Sequence, residues 1–130
     1  MLFALLAIGV SMAAPAGAEQ NPDPARGIVP VACPDQPEPQ WMQGIDPRDA
    51  HKRLLVQQIY RAASMQRILD AGSCTCDTRY PPWDAAEAVF FEGFVAADYQ
   101  DIVEATEEYR WQANRLRLNA MPICEAAGSW

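Results

Sequence analysis

Apolar positions recur at helical spacing through the middle of the chain. Asp46 and Pro47 precede this stripe, and they are residue types favoured at a helix N-cap and at the first helical position. Gly72 follows the stripe as a candidate C-cap. The pattern predicts a first helix over residues 47–71, whose buried stripe includes Leu55, Ile59, Ala62 and Leu69.

A second apolar stretch, residues 85–97, is rich in alanine and phenylalanine. Asp84 and Glu87 before it resemble a capping box in which Asp replaces the usual Ser or Thr. Residues 73–82, with two adjacent prolines, have the composition of a loop. We therefore predict a loop followed by a helix, and we place this helix at the centre of the core.

A third helical pattern begins at Asp98, where Asp98 and Asp101 repeat the N-cap signature. Acidic residues come first along this segment and basic residues last, which matches a helix dipole with its own start and end. We expect the helix to end at Pro122. Its apolar seam consists of Ile102, Ala105, Tyr109, Leu116 and Ala120.

Two arrangements of the second and third patterns remain open. A break near residues 93–98 gives three helices in up-down-up order and brings Cys124 back towards Cys74 and Cys76. Without the break, residues 84–119 form one helix of about 54 Å in a long helical hairpin. Either way the fold class is all-α, a small helical bundle or hairpin held by disulfides.

The N-terminal segment has the features of an export signal. Residues 1–18 carry no charge, residues 2–10 are a short apolar run, and Ala-Gly-Ala at residues 16–18 forms a small-residue cleavage site before Glu19. No basic residue lies near Met1, which departs from the usual pattern. We predict a signal peptide over residues 1–18 and a periplasmic or secreted mature chain.

Six prolines lie between residues 19 and 44, and apolar periodicity is absent there. Residues 19–45 are therefore predicted to be a Pro-rich, extended arm that precedes a helical domain over residues 46–130. Trp41, Met42 and Ile45 at its end are suited to dock on the helices.

Charge and the apolar pattern exclude some function classes. The chain of 130 residues has 10 Lys and Arg against 17 Asp and Glu, a formal net charge of −7. A nucleic-acid-binding protein would instead present a basic face to the phosphates. We expect no transmembrane segment in the mature chain, because no run is long and apolar enough.

The four cysteines, Cys33, Cys74, Cys76 and Cys124, have the even count of a disulfide framework in an exported chain. A Cys74–Cys76 bond would close a very small, strained ring. We therefore favour Cys33 and Cys124 each bonding one member of the Cys74/Cys76 pair, with both pairings open. Each bond would close a loop of about 40–50 residues, contributing about 3–4 kcal/mol.

Catalytic signatures are absent from the sequence, and neither a cofactor nor a metal is predicted. His51 is the single histidine, and Ser64, Ser73 and Ser129 lie in no nucleophile-elbow context. We interpret the acidic residues of the third pattern as a solvated helix face rather than a site. They are Asp98, Asp101, Glu104, Glu107 and Glu108.

Aromatic residues lie at the predicted element ends, on a polar helix and at the C-terminus. Arginine and aromatic side chains are enriched in protein interfaces, and Arg115 follows Trp111 by four residues, so the two can stack. The candidate interaction surface is Tyr80, Trp83, Trp111, Arg115 and Trp130, together with the arm. The alternative is that the tryptophans fill the ends of the core.

In architecture the chain resembles small periplasmic accessory proteins of Gram-negative envelopes. We expect a non-enzymatic protein–protein interaction module of a cell-envelope assembly, such as a secretion or conjugation system. One alternative is a periplasmic thiol-redox or metal-handling protein that uses Cys74 and Cys76. The other is an acid-stress periplasmic chaperone, which would open partly near pH 3 as its carboxylates become protonated.

Overall fold

The computed structural model describes residues 33–34 and 36–130, and this part of the chain is mostly helical with no strand. The predicted all-α class is confirmed. The predicted signal peptide and residues 19–32 of the predicted arm lie outside the described residues.

The helices follow one another with short connections. They are α1 (Gln40–Gln43), a 3-10 turn (Pro47–Asp49), α2 (Ala50–Ala71), α3 (Cys76–Arg79), α4 (Asp84–Gly93) and α5 (Tyr99–Ala126). The chain thus breaks between α4 and α5, where the sequence left two arrangements open.

Three of the predicted helix ends are found where the sequence placed them. The Asp46 side chain accepts a hydrogen bond from the Arg48 backbone N–H at 2.8 Å, and Asp98 accepts one from Asp101 at 3.0 Å. Gly72 ends α2 with φ of 63°, a left-handed conformation that glycine adopts without a steric penalty. Asp46 therefore caps the 3-10 turn that leads into α2, whose own N-cap, Asp49, makes no side-chain hydrogen bond. Gly72 defines the end of α2, and Asp98 defines the start of α5.

The two long helices, α2 and α5, lie side by side and run in the same direction. At their N-terminal ends the rings of His51 and Tyr99 meet at 4.9 Å. At the other end Ile68 of α2 packs with Ala120 and Cys124 of α5. The shorter α4, which lies between α2 and α5 in the sequence, packs on α2 and brings the chain back towards the start of α5.

The core consists of two clusters along the α2–α5 contact. The larger cluster joins α1, α2, α4 and α5 and contains Met42, Leu55, Val56, Ile59, Ala86, Phe90, Ile102 and Ala105. The smaller cluster contains Ile68, Cys74, Ala120 and Cys124. Met42 is fully buried, so the end of the predicted arm is part of the core and, in α1, is helical rather than extended.

The predicted end of the last helix at Pro122 is wrong. Helix α5 continues through Pro122 to Ala126. Proline lacks the N–H that would bond to the Leu118 carbonyl. Both residues are exposed, so water can satisfy that carbonyl and the helix loses little by continuing.

Two predictions around α3 and α4 are also wrong. The predicted loop over residues 73–82 contains α3, whose capping box is formed by Thr75 and Thr78. Asp84 and Glu87 form no capping box, because Trp83 is the N-cap of α4 and caps with no side-chain hydrogen bond. Glu87 instead accepts a hydrogen bond from the Trp41 indole N–H at 2.7 Å.

Helix α4 lies at the edge of the core rather than at its centre. Ala86 and Phe90 face inward and are 2 % exposed, but Phe91 is 47 % exposed and Val89 is exposed as well. The helix is only 10 residues long and packs on α2 along one face, so its outward side keeps apolar residues in contact with water.

Candidate interaction surface

The four cysteines form two disulfides, Cys33–Cys76 and Cys74–Cys124. This confirms that Cys33 and Cys124 each bond one member of the central pair, and it selects one of the two pairings left open. The bonds span 43 and 50 residues of sequence. They meet at one end of the molecule, because Cys74 and Cys76 are separated by a single residue.

The two disulfides differ in exposure. Cys74 and Cys124 are 8 % and 0 % exposed and belong to the smaller core cluster. Cys33 and Cys76 are half-buried. The half-buried bond lines a cavity of about 270 Å³ whose wall includes Ser129. The two bonds therefore present different access to a reductant in solution.

Two of the predicted surface residues, Tyr80 and Trp130, both lie within cation–π distance of one guanidinium. Arg79 lies 5.3 Å from the centre of the Tyr80 ring and 4.9 Å from that of Trp130. The Arg117 guanidinium of α5 lies 5.2 Å from the Trp130 ring. Trp130 is therefore flanked by two arginines, in cation–π geometry with both.

Trp111 and Arg115 lie earlier in α5 than Arg117, on a connected part of the same surface. Trp111 is 68 % exposed, as is Leu118 about two helical turns away on α5. Together with Arg61 and Arg117 they line an open groove of about 400 Å³. Arg117 belongs both to this groove and to the contact with Trp130, so the surface is continuous.

We call this region the arginine–aromatic surface. Its residues are Arg61, Arg79, Tyr80, Trp111, Arg115, Arg117, Leu118 and Trp130. It carries four guanidinium groups in a protein whose formal net charge is −7. The surface is thus both apolar and locally cationic.

Trp83 does not lie on the arginine–aromatic surface. Its ring stacks on Tyr60 at 3.8 Å, and its indole N–H donates to the Gln36 carbonyl at 3.1 Å. The Tyr60 hydroxyl donates to the Pro81 carbonyl at 2.8 Å, and burial raises the pKa of Tyr60 above its ordinary value. Trp83 therefore holds the segment before α1 against α2.

The stacked pair predicted between Trp111 and Arg115 does not form, since among residues 36–130 the Arg115 guanidinium lies over no aromatic ring. Arg79, Arg117, Arg61 and Leu118 were missed at the sequence level. Arg117 and Leu118 lie two and three residues after the predicted Arg115. The Arg79–Trp130 contact joins residues far apart in sequence and has no local signal.

The predicted acidic face is solvated, as expected for the side chains on the outer side of α5. Glu104, Glu107 and Glu108 are exposed, and Glu107 forms an ion pair with Arg110 three residues on. Over the part of the chain that the structure describes, no three His, Cys, Asp or Glu side chains are grouped closely enough to hold a metal ion. In the same residues, none of the helices has both the length and the apolarity needed to cross a bilayer.

The other polar residues weighed at the sequence level have structural contacts. Ser64 is buried and donates a hydrogen bond to the Tyr60 carbonyl at 2.9 Å. Ser129 donates to the Cys74 carbonyl at 3.3 Å, next to the disulfides. His51 packs edge-on against Tyr99. These serines and the histidine lie apart on the fold.

Comparison with protein families, curated proteins and solved structures found no match to this chain.

Proposed function

We propose that this protein is an exported, non-enzymatic interaction module, an accessory part of a cell-envelope assembly such as a secretion or conjugation system. Its recognition element is the arginine–aromatic surface. The partner is a protein that brings carboxylates and apolar side chains to that surface.

The observation that carries the proposal is the exposure of Trp111 among arginines. A tryptophan has a large apolar area, and 68 % exposure is unusual for a side chain that interfaces use as an energetic centre. Arg115, Arg117 and Arg61 line a groove with it. Glu107 and Arg110 line a second groove at the same ring. Tryptophan and arginine at the centre of an interface are the residue types whose truncation most often weakens binding.

Two features support a location outside the cytoplasm. Both disulfides persist in an oxidising compartment and would be reduced in most cytosols. The uncharged N-terminal segment with its small-residue site before Glu19 favours export to the periplasm.

The test is a crosslinking capture in the native host with a tagged chain. Changing Trp111→Ala together with Arg115→Ala should lower recovery of the crosslinked partner at least about tenfold, because both residues are of hot-spot type. The matched control is Tyr99→Ala with Arg67→Ala. It removes an exposed ring and an exposed guanidinium elsewhere on the molecule.

Equal recovery from the two double variants would show that this surface does not bind the partner. Circular dichroism of both purified variants checks that each is folded. Since all four residues are solvent-exposed, we expect little change in stability.

A second candidate function is thiol–disulfide exchange at the end of the molecule where the bonds meet. The specific observation is that the Cys33–Cys76 bond is half-buried and has both of its cysteines in the wall of a cavity. The Cys74–Cys124 bond is buried and reaches that cavity only through Cys74. Attack by a thiolate requires access to one sulfur of the bond. Cys33–Cys76 is the bond that would exchange, rather than a Cys74/Cys76 dithiol.

We expect a limiting amount of reductant to open Cys33–Cys76 first, which peptide mapping after alkylation would detect. A redox role requires, in addition, that a fraction of the protein isolated without reductant carries free Cys33 and Cys76 thiols. Fully oxidised protein under all growth conditions would contradict that role and leave the bonds structural.

A further inference from the structure

The outer face of α5 forms a single exposed stripe from one end of the helix to the other. Its positions recur at helical spacing and are all exposed: Gln100, Glu104, Glu107, Glu108, Trp111, Asn114, Arg115, Leu118, Pro122 and Glu125. We call this the outer stripe. Helix α5 packs on α2 through the opposite face, which contains Ile102, Ala105, Ala113 and Ala120.

Charge along the outer stripe changes sign at Trp111. On the N-terminal side the charged residues of the stripe itself are Glu104, Glu107 and Glu108, all acidic, and Arg110 borders it beside Glu107. On the C-terminal side the first charged residue of the stripe is Arg115, and Arg117 and Arg61 flank it in the groove beside Trp111. Glu125 follows only near the end of the helix. Within about one helical turn on either side of Trp111, the stripe therefore carries an acidic residue at position 107 and a basic residue at position 115.

A helix face with this pattern is complementary to itself when a second copy lies antiparallel. A two-fold axis through Trp111 places position 107 of one copy opposite position 115 of the other. Each lies four residues, about 6 Å, from the axis. Glu107 then faces Arg115 twice, and the two Trp111 rings meet at the centre. In a parallel pairing, like charges would face each other instead.

We propose that the outer stripe of α5 binds a second copy of this chain, in an antiparallel, two-fold symmetric pairing centred on Trp111. The contact is isologous, so every favourable pair occurs twice. It rests on the proposed function in using the same exposed Trp111 and Arg115 for protein recognition. The partner is then a second copy of the chain, which supplies both the carboxylate and the aromatic ring that the surface recognises.

One competing interaction is present within each copy. Glu107 pairs with Arg110 of the same helix, and their side chains are 51 % and 48 % exposed. An ion pair this exposed contributes only a few tenths of a kcal/mol to helix stability. Glu107 can therefore exchange Arg110 for Arg115 of the other copy, or contact both, at little cost.

The contact is the size of one helix pair, which lies at the small end of protein interfaces. Association is accordingly weak and reversible, and it is measured by sedimentation velocity over a concentration series of purified, oxidised protein. Glu107→Arg places two arginines opposite each other at both ends of the contact. Arg115→Glu does the same with two glutamates.

We expect each single variant to dimerise at least about tenfold more weakly than the unaltered chain. An equimolar mixture of the two variants should recover dimerisation. In the mixed dimer, the arginine introduced in one copy faces the glutamate introduced in the other, and the unaltered Arg115 and Glu107 face each other. The double variant E107R/R115E should also dimerise, since both of its contacts are reversed together.

The mixture distinguishes the antiparallel pairing from a local effect of each substitution. If the mixture stays monomeric while the unaltered chain dimerises, the pairing is wrong. A chain that is monomeric at every concentration overturns the inference, as do single variants that dimerise like the unaltered chain.

The inference and the proposed function fail in different experiments. If the purified protein is monomeric but partner capture in cells still depends on Trp111 and Arg115, the self-pairing is wrong and the proposed function stands. If the charge-swapped variants dimerise as expected but the double alanine variant captures the partner normally, the self-pairing stands and the proposed function is wrong.

Discussion

Replacing Phe90 by alanine is expected to lower the free energy of unfolding by about 3–5 kcal/mol. Phe90 is 2 % exposed and belongs to the larger core cluster, which joins α1, α2, α4 and α5. Its ring packs on Trp41 at 5.6 Å, with the planes nearly parallel. Truncation removes the buried ring and leaves a cavity, and α1 loses one of its ring contacts with α4.

The adjacent Phe91→Ala variant is the matched control. Phe91 has the same side chain on the same helix and also meets the Trp41 ring, at 5.4 Å. Because it is 47 % exposed and its removal leaves no enclosed cavity, the loss should be only about 1 kcal/mol. Urea denaturation of both variants, followed by circular dichroism, measures the difference. Similar losses from the two variants would contradict the placement of α4 with Phe90 inward and Phe91 outward.

The second large effect is expected from replacing Cys74 and Cys124 together by alanine. The bond spans 50 residues, so the chain-entropy model predicts that its loss destabilises the protein by about 4 kcal/mol. Both sulfurs also lie in the smaller core cluster with Ile68 and Ala120. The lost packing therefore adds to the loss of the crosslink.

Replacing Cys33 and Cys76 by alanine separates these two contributions. That bond spans 43 residues, a closely similar loop, but its cysteines are only half-buried. We expect the Cys74/Cys124 variant to be the less stable of the two in urea denaturation. Equal stabilities would assign the whole effect to chain entropy, and the reverse order would contradict the burial argument.

The parts of the fold that could be predicted are those with a local cause. Asp46, Gly72 and Asp98 define helix ends through their own side chain or backbone, and each lies where the sequence placed it. Ring strain excluded a bond between Cys74 and Cys76, whereas the choice between the two remaining pairings came from the structure. Both arguments depend on residues that are close together in the chain.

The parts that could not be predicted depend on contacts between distant residues. Glu87 matches a capping box in sequence, but Trp41, 46 residues away, takes its carboxylate as an acceptor. Pro122 ends a helix by its own preference, yet α5 continues because both Pro122 and the residue four before it face water.

The candidate surface divides in the same way. Trp111 could be identified because a tryptophan on a polar helix stands out in the sequence. Arg79 could not, because it meets Trp130 only after the chain has passed through α4 and α5. Trp83 has the same residue type as Trp111 but stacks on Tyr60, a contact that the order of residues does not reveal.

The two disulfides also determine how the molecule would carry a mechanical load. The shortest covalent path from Cys33 to Cys124 crosses to Cys76, passes Thr75 to Cys74 and crosses again to Cys124. Tension applied at the two ends of the chain would follow this path of bonds and bypass α1, α2, α4 and all but the last residues of α5. These helices would stay unloaded until a disulfide broke, so the fold could link two pulling partners without itself being stretched.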